Sequence, residues 1–337
     1  METQLDTGIS SVSRPASAAE AAAGRRGRPT ARAVVTGLSG MCLVGGSVGV
    51  SRELTSAPLF TAQALRYAAA GLILFAVARA AHAPLVRPRG REWLWLAGIA
   101  ALGLVLFNVA IVRGVAHAEP AVIAVAVACV PVVLALVGPL LEHRPPHRRA
   151  VFAAVVVTMG SALVVGTGRA DAAGIGWAAV TLTCEASFTL LAVPVLPRHG
   201  AWGVSLHSVW LGAVMLAVLG LAHEGTGAAG RITAPQWAAL AYLAVMVTAV
   251  AFILWYSTLA GIGAAAAGLL TGAAPVSAAL TGMATGTRAP GPLVWCGVLV
   301  VGCGLAAGLV RGDPSIPRRA GRDARPRNRT GEPMDVA

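Results

Sequence analysis

Apolar residues run along this chain in blocks of about twenty, the length a helix needs to cross a bilayer, and short joints between the blocks collect arginines, prolines and glycines. Ten blocks can be drawn, at residues 33–51, 59–79, 92–112, 119–141, 149–168, 174–195, 201–222, 236–257, 262–286 and 291–311. The joints of the first half fall at Arg52-Glu53, Arg87 to Arg91, Arg113 to Glu119 and Glu142 to Arg149. Two blocks are weaker than the rest. The first has several glycine and polar interruptions, and the sixth carries Thr181, Thr183, Glu185 and Ser187, which leaves nine crossings as the alternative count. The pattern predicts an all-α integral membrane protein with ten transmembrane helices.

Composition agrees, since 56% hydrophobic and 12% charged residues with a mean hydropathy of +0.73 exclude an ordinary soluble domain. The charges are uneven. Residues 1–32 and 312–337 hold 5 and 6 arginines among Ser, Ala, Gly and Pro, so both ends are expected to be disordered tails. A net charge of +12 raises nucleic acid as a partner, yet the basic residues flank apolar blocks and form no basic face with interleaved aromatics. All 26 basic residues are Arg, which with the Ala and Gly excess reads as a coding bias. Their placement is informative, because cytoplasmic loops are enriched in Lys and Arg. With the N-terminus inside, 20 arginines fall on the cytoplasmic side and five on the other, with Arg66 inside a block. The expectation is a multi-pass cell-membrane protein with both termini cytoplasmic. Arg25, Arg26, Arg28 and Arg32 precede the first block as in a signal peptide, but no small-residue cleavage site follows and the block is expected to be retained. The five cysteines lie within apolar blocks without CxxC spacing and are expected to be small packing residues.

Shifting the sequence by 144 residues superposes its halves without a gap: Pro131 falls on Pro275, Trp93 on Trp237, Arg144 on Arg288, Pro146 on Pro290 and Gly160 on Gly304. Five crossings per copy is an odd number, so the second copy must enter the membrane from the opposite side. The expected architecture is two inverted five-helix repeats, at 33–168 and 169–311. Inverted repeats are a common construction of secondary transporters, because two like halves can exchange conformations and turn a cavity from one side to the other. The alternative is a duplication that only made a stable bundle.

Glu119-Pro120-Ala121, followed by Pro131-Val132-Val133 in mid-block and Leu140-Leu141-Glu142 at its close, resembles the fourth helix of EamA-type members of the drug/metabolite transporter superfamily. The ninth block repeats the arrangement with Ala264 to Ala267 and Pro275-Val276, but the shift puts Gly286 opposite Glu142, so that carboxylate is not duplicated. The resemblance covers about residues 33 to 311. It implies a ten-helix bundle with a central cavity that exports small molecules such as amino acids or other metabolites.

Ionisable groups deep in a membrane span cost about 2.5–3.5 kcal/mol on insertion scales and default to functional candidates. Glu185 is the foremost. It lies 11 residues beyond Gly174, or about 16 Å at 1.5 Å per residue, near the midplane where transporter sites lie. It is a candidate proton carrier; the plainer reading is a carboxyl hydrogen-bonded to Thr181 or Thr189, one turn away on either side. Arg66 stands one to two turns into the second block, where its side chain is expected to snorkel to the headgroups; the competing role is a grip on an anionic substrate. Gln63 and His207, 144 apart, are expected near the membrane surfaces. Asn108, Trp255 and Tyr256 are candidates for the cavity wall, with helix packing as the alternative. Pro131 and Pro275 are candidate hinges at matching points of the halves. GxxxG spacings at Gly45/Gly49, Gly268/Gly272, Gly282/Gly286 and Gly304/Gly308 suit close helix contact. His143 and His147 beside Glu142 are read as a solvated loop, not a metal site. There is no Walker loop, GxSxG or HExxH, so no cofactor, metal or catalytic residue is assigned. The expected partners are a small-molecule substrate, the bilayer and protons, with a homodimer as a candidate assembly. The rival class is an integral membrane enzyme acting on a lipid-like substrate, for which Glu185 stands almost alone.

Overall fold

The computed structural model describes residues 31–284 and 291–309. The tails, together with Gly286, Arg288 and Pro290 of the repeat comparison, lie outside the described residues. The helices are α1 (Ala31–Leu54), α2 (Leu59–Ala80), α3 (Glu92–Val115), α4 (Pro120–Leu141), α5 (Arg148–Val165), α6 (Ala172–Leu190), α7 (Leu196–His223), α8 (Ala234–Leu270), α9 (Ala273–Ala284) and α10 (Pro292–Leu309). Eight of them, all but α6 and α9, are long and apolar enough to cross a membrane. The boundary expected between the eighth and ninth blocks is displaced. Helix α8 runs on for 37 residues and turns sharply at Gly263, whose φ of +77° suits glycine alone and where an added Cβ would stand 3.1 Å from Glu142 Oε1. The expected ninth block is also divided, at Thr271-Gly272 between α8 and α9.

The repeat is visible in the backbone. Helix α3 widens to π-type hydrogen bonding over Ile99–Leu106, and α8 does so over Leu243–Val250, 144 residues later. Helix α4 is interrupted at Cys129, two residues before Pro131, and the α8–α9 break at Gly272 comes three residues before Pro275. Each proline lacks the N–H that the carbonyl four residues back would accept, and its ring crowds that carbonyl, so the ladder opens just ahead of it. Thr158 Oγ1 of α5 supplies a replacement donor to Ala128 O at the first break, at 3.0 Å.

The outer surface is apolar: Leu94 is 71% exposed, Leu299 69% and Phe152 66%, a coat suited to lipid and not to water. Inside, Leu74, Leu96, Leu104, Leu134 and Leu216 are fully enclosed. Helices α5 and α10 meet backbone to backbone. A Cβ on Gly160 would lie 2.7 Å from Val301 N, one on Gly297 2.7 Å from Gly160 O, and one on Gly304 3.0 Å from Val157 N. Residue 157 thus meets 304 while 160 meets 301, and the 144-residue shift carries 157 to 301 and 160 to 304. The contact is self-complementary, as a two-fold axis requires. Of the GxxxG glycines, Gly45, Gly268, Gly272, Gly304 and Gly308 are packed tightly, whereas nothing lies within 4 Å of a Cβ on Gly49.

Joints 116–119 and 166–171 are zipped together on one face. Ala118 and Ala170 form an antiparallel bridge, Arg169 Nε donates to Glu119 Oε1 at 3.1 Å, and His117 Nδ1 meets Asp171 Oδ2 at 3.1 Å. Asp171 also caps α6 by accepting from Gly174 N at 2.7 Å. That N–H, and then His117, hold its carboxyl below the usual carboxylate range. The stability lent by this cap is present at neutral pH and is lost as the pH falls through the lowered value.

Candidate functional site

A cavity of about 600 Å³ lies between the two halves, walled by parts of α1 to α6, α8 and α9. Its lining reaches Val115, Pro120 and Val165, at the ends of α3, α4 and α5 beside the zipped joints, and no lining residue comes from the opposite ends of those helices. The cavity therefore opens toward one face. Toward the other it is floored by aromatic rings, with Phe188 4.8 Å from Phe252 and 5.2 Å from Tyr256 between centroids.

Beyond that floor a polar closure ties the start of α3 to the start of α7. Glu92 pairs with Arg198, and His199 Nε2 reaches the same carboxylate at 3.2 Å. His207 Nε2 donates to Val86 O at 3.1 Å and holds the α2–α3 joint against α7. The 144-residue counterpart of Glu92 is Gln236, which occupies the equivalent place at the start of α8 and donates from Nε2 to Ser56 Oγ at 3.0 Å.

Glu185, Arg66, Asn108, Trp255 and Pro275 all line the cavity. Among the described residues the Glu185 carboxylate accepts no hydrogen bond. Neither threonine expected to hold it does so: Thr181 Oγ1 donates to Trp177 O at 2.9 Å, and Thr189 Oγ1 accepts from Trp255 Nε1 at 3.1 Å. Arg66 does not follow the snorkelling expectation. Its Nε donates to Thr248 Oγ1 at 2.9 Å and its Nη1 to Gln63 Oε1 at 3.3 Å, which turn the guanidinium inward, and it lies 5.3 Å from the Tyr67 ring centroid. Gln63 is correspondingly buried within the bundle. Asn108 Nδ2 donates to Tyr67 Oη at 3.1 Å. Tyr256 is placed behind the wall and not on it. It is fully enclosed, and its hydroxyl donates to Phe188 O at 3.2 Å, so it supports the floor from below. Pro131 likewise lies in the core and does not line the cavity.

The lining falls into pairs 144 apart: Met41 with Glu185, Val44 with Phe188, Gly103 with Val247, Phe107 with Ala251, Asn108 with Phe252 and Ile111 with Trp255. Equivalent positions face the same space, as expected around a two-fold axis, but their chemistry has diverged. The acid and most of the aromatic floor come from the second half. The π segments of α3 and α8 include or precede the paired positions of those two helices, from Gly103 with Val247 to Ile111 with Trp255.

Sequence reasoning missed Ser161, which lies on the cavity wall with a buried hydroxyl, and Thr248, the partner of Arg66. Ser161 sits in the run Gly160-Ser161-Ala162, whose small residues read as helix packing. Thr248 lies within the second π segment, whose altered facing no periodicity announces. His143 and His147 remain in a joint, with His143 at a positive φ of 56°. Among the described residues no three His, Cys, Asp or Glu side chains gather as metal ligands.

Comparison with known proteins agrees with the repeat. The chain is 22% identical over 256 residues to a protein of Bacillus subtilis (strain 168) named uncharacterized transporter YetK, a match covering 74% of this chain and 78% of the relative. A solved crystal structure of a protein superposes with a TM-score of 0.69 at 19% identity, covering 82% of this chain and 96% of the other, which shows a shared fold. One family model, that of the EamA-like transporter family, matches twice, over residues 31–166 and 172–308. Its two matches fall on the halves that the π segments, the proline breaks and the paired lining relate to each other, and they show that this chain belongs to the EamA-like transporter family and is a multi-pass membrane transporter.

Proposed function

We propose that the protein is a secondary exporter that moves a small metabolite, amino-acid-like or drug-like, through the cavity between its halves by alternating access, with Glu185 carrying the coupled proton. The observation that carries this reading is a cavity open to one face only, with an unpartnered carboxylate in its wall. The chain crosses the membrane ten times, as inverted repeats over 33–168 and 169–311, with α6 as the sixth crossing and the ninth formed by the part of α8 beyond Gly263 together with α9. Contacts between helix ends support that path. Glu224 after α7 accepts from Phe60 N and Thr61 N at the start of α2, at 2.9 and 2.8 Å, while Glu92 at the start of α3 meets Arg198 at the start of α7. With both termini cytoplasmic, as the arginine distribution favours, the cavity opens outward and the Glu92 closure seals the cytoplasmic side.

Reconstitution into liposomes with a panel of amino acids, metabolites and cationic dyes tests the proposal. Uptake of at least one compound is expected, and its rate should change with an imposed pH gradient; transport of none under either condition overturns the reading. A second expectation concerns the closure. Glu92→Gln removes the anion that Arg198 and His199 share, and should shift the population toward the state open on that side. In an Ala192→Cys background, where the residue is fully enclosed, labelling by a water-soluble maleimide should rise severalfold. An unchanged labelling rate would show that the closure does not hold the state.

A further inference from the structure

Two half-helix ends lie on the cavity wall, and one has an unsatisfied hydroxyl beside it. Ser161 of α5 is 1% exposed, lines the cavity, and has no hydrogen-bond partner for its Oγ among the described residues. A Cβ built on Gly272 would stand 3.4 Å from that oxygen, which places the hydroxyl at the residue preceding the first turn of α9. Helix α9 is 12 residues long and starts in the middle of the bundle. Gly272 has no side chain with which to cap it, and Pro275 offers no N–H. Thr271, Gly272, Ala274 and Pro275 line the same cavity, so this helix start faces the space a substrate would occupy. The N-terminal end of a helix carries partial positive charge that favours oxyanions; here Ala274 N already donates to Thr271 O at 3.0 Å, so the start of α9 supplies that charge more than a row of free N–H groups.

We infer that Ser161 and the start of α9 form a subsite for a singly charged oxyanion, a carboxylate, on the transported molecule. The Ser161 hydroxyl donates to one carboxylate oxygen, and the helix start, with the Arg66 guanidinium elsewhere in the lining of the same cavity, provides the positive field. The counterpart of Ser161 in the second half is Leu305, so the site exists once. This inference rests on the reading of the cavity as the transport site.

The test is equilibrium binding to the purified full-length protein in lipid nanodiscs with two probes, L-phenylalanine and L-phenylalaninamide, which differ only in the carboxylate. The wild-type protein should prefer the acid by about tenfold, the scale of one hydrogen bond to a charged group. Ser161→Ala should weaken the acid by about fivefold or more and leave the amide within about twofold, while Ser161→Thr keeps the hydroxyl and should retain the preference. Equal binding of acid and amide by the wild type, or equal weakening of both probes by Ser161→Ala, overturns the subsite. The transport reading is separated by the liposome panel. Acid preference without transport of any compound leaves the subsite standing and removes the exporter; transport without acid preference does the reverse.

Discussion

Glu185→Gln is expected to reduce transport by about tenfold or more, the effect of about 1.4 kcal/mol of lost coupling, and to remove its dependence on a pH gradient while leaving the protein folded. Glutamine has the size and nearly the shape of the acid, so the packing of α6 against α3 and α8 is undisturbed. What it lacks is a proton that can be gained and lost. Among the described residues the carboxylate has no hydrogen-bond partner to be orphaned by the change; Thr181 donates to Trp177 O, and Thr189 meets Trp255 Nε1 as an acceptor. Removing an ionisable group from a membrane span also eases insertion, so the variant should express and melt at least as well as the parent. Proteoliposome uptake with and without a pH gradient is the measurement. Retained gradient dependence in the variant would remove Glu185 from the coupling role.

Gly160→Leu is expected to unfold or dissociate the α5–α10 seam. Even the Cβ of alanine would lie 2.7 Å from Val301 N and 2.9 Å from Gly297 O, and both are backbone atoms that no rotamer change can move. Overpacking of this kind costs about 1–3 kcal/mol for modest additions, and leucine adds three more carbons at the same point. Gly302→Ala, on the same helix, is the control: nothing lies within 4 Å of a Cβ there, and alanine favours a helix over glycine by about 1 kcal/mol. Thermal melting in detergent should show a large fall for Gly160→Leu and no fall for Gly302→Ala. Similar melting of the two would mean that the seam is not a stabilising contact.

The helix pattern could be read before any coordinates because each crossing needs a long apolar run, and the 144-residue repeat could be read because Pro131 and Pro275 stand inside apolar blocks in fixed register. The π segments could not. Ile99–Leu106 is apolar throughout and Leu243–Val250 is apolar but for Thr248, and widening a helix by one residue per turn leaves no mark in such a run. Which face of a helix meets the cavity was hidden too. Trp255 and Tyr256 are neighbours, yet about 100° of rotation per residue separates them, and only Trp255 faces the cavity. Arg66 was expected at the headgroups because reach alone was considered; its inward turn depends on Thr248, 182 residues away in sequence. The boundary near residue 260 was displaced because Gly263, not a polar joint, makes the turn.

The bonds that close the two ends of the bundle differ in kind. On one face Glu92 holds Arg198 and His199, and on the other Gln236 holds Ser56, a neutral pair in the same structural place. Mobile ions screen an attraction between charges and leave an amide–hydroxyl bond nearly untouched. In the alternating-access cycle proposed above, the energies of the two end states would therefore respond unequally to the medium, and the resting bias would be set partly by ionic strength on a single side of the membrane.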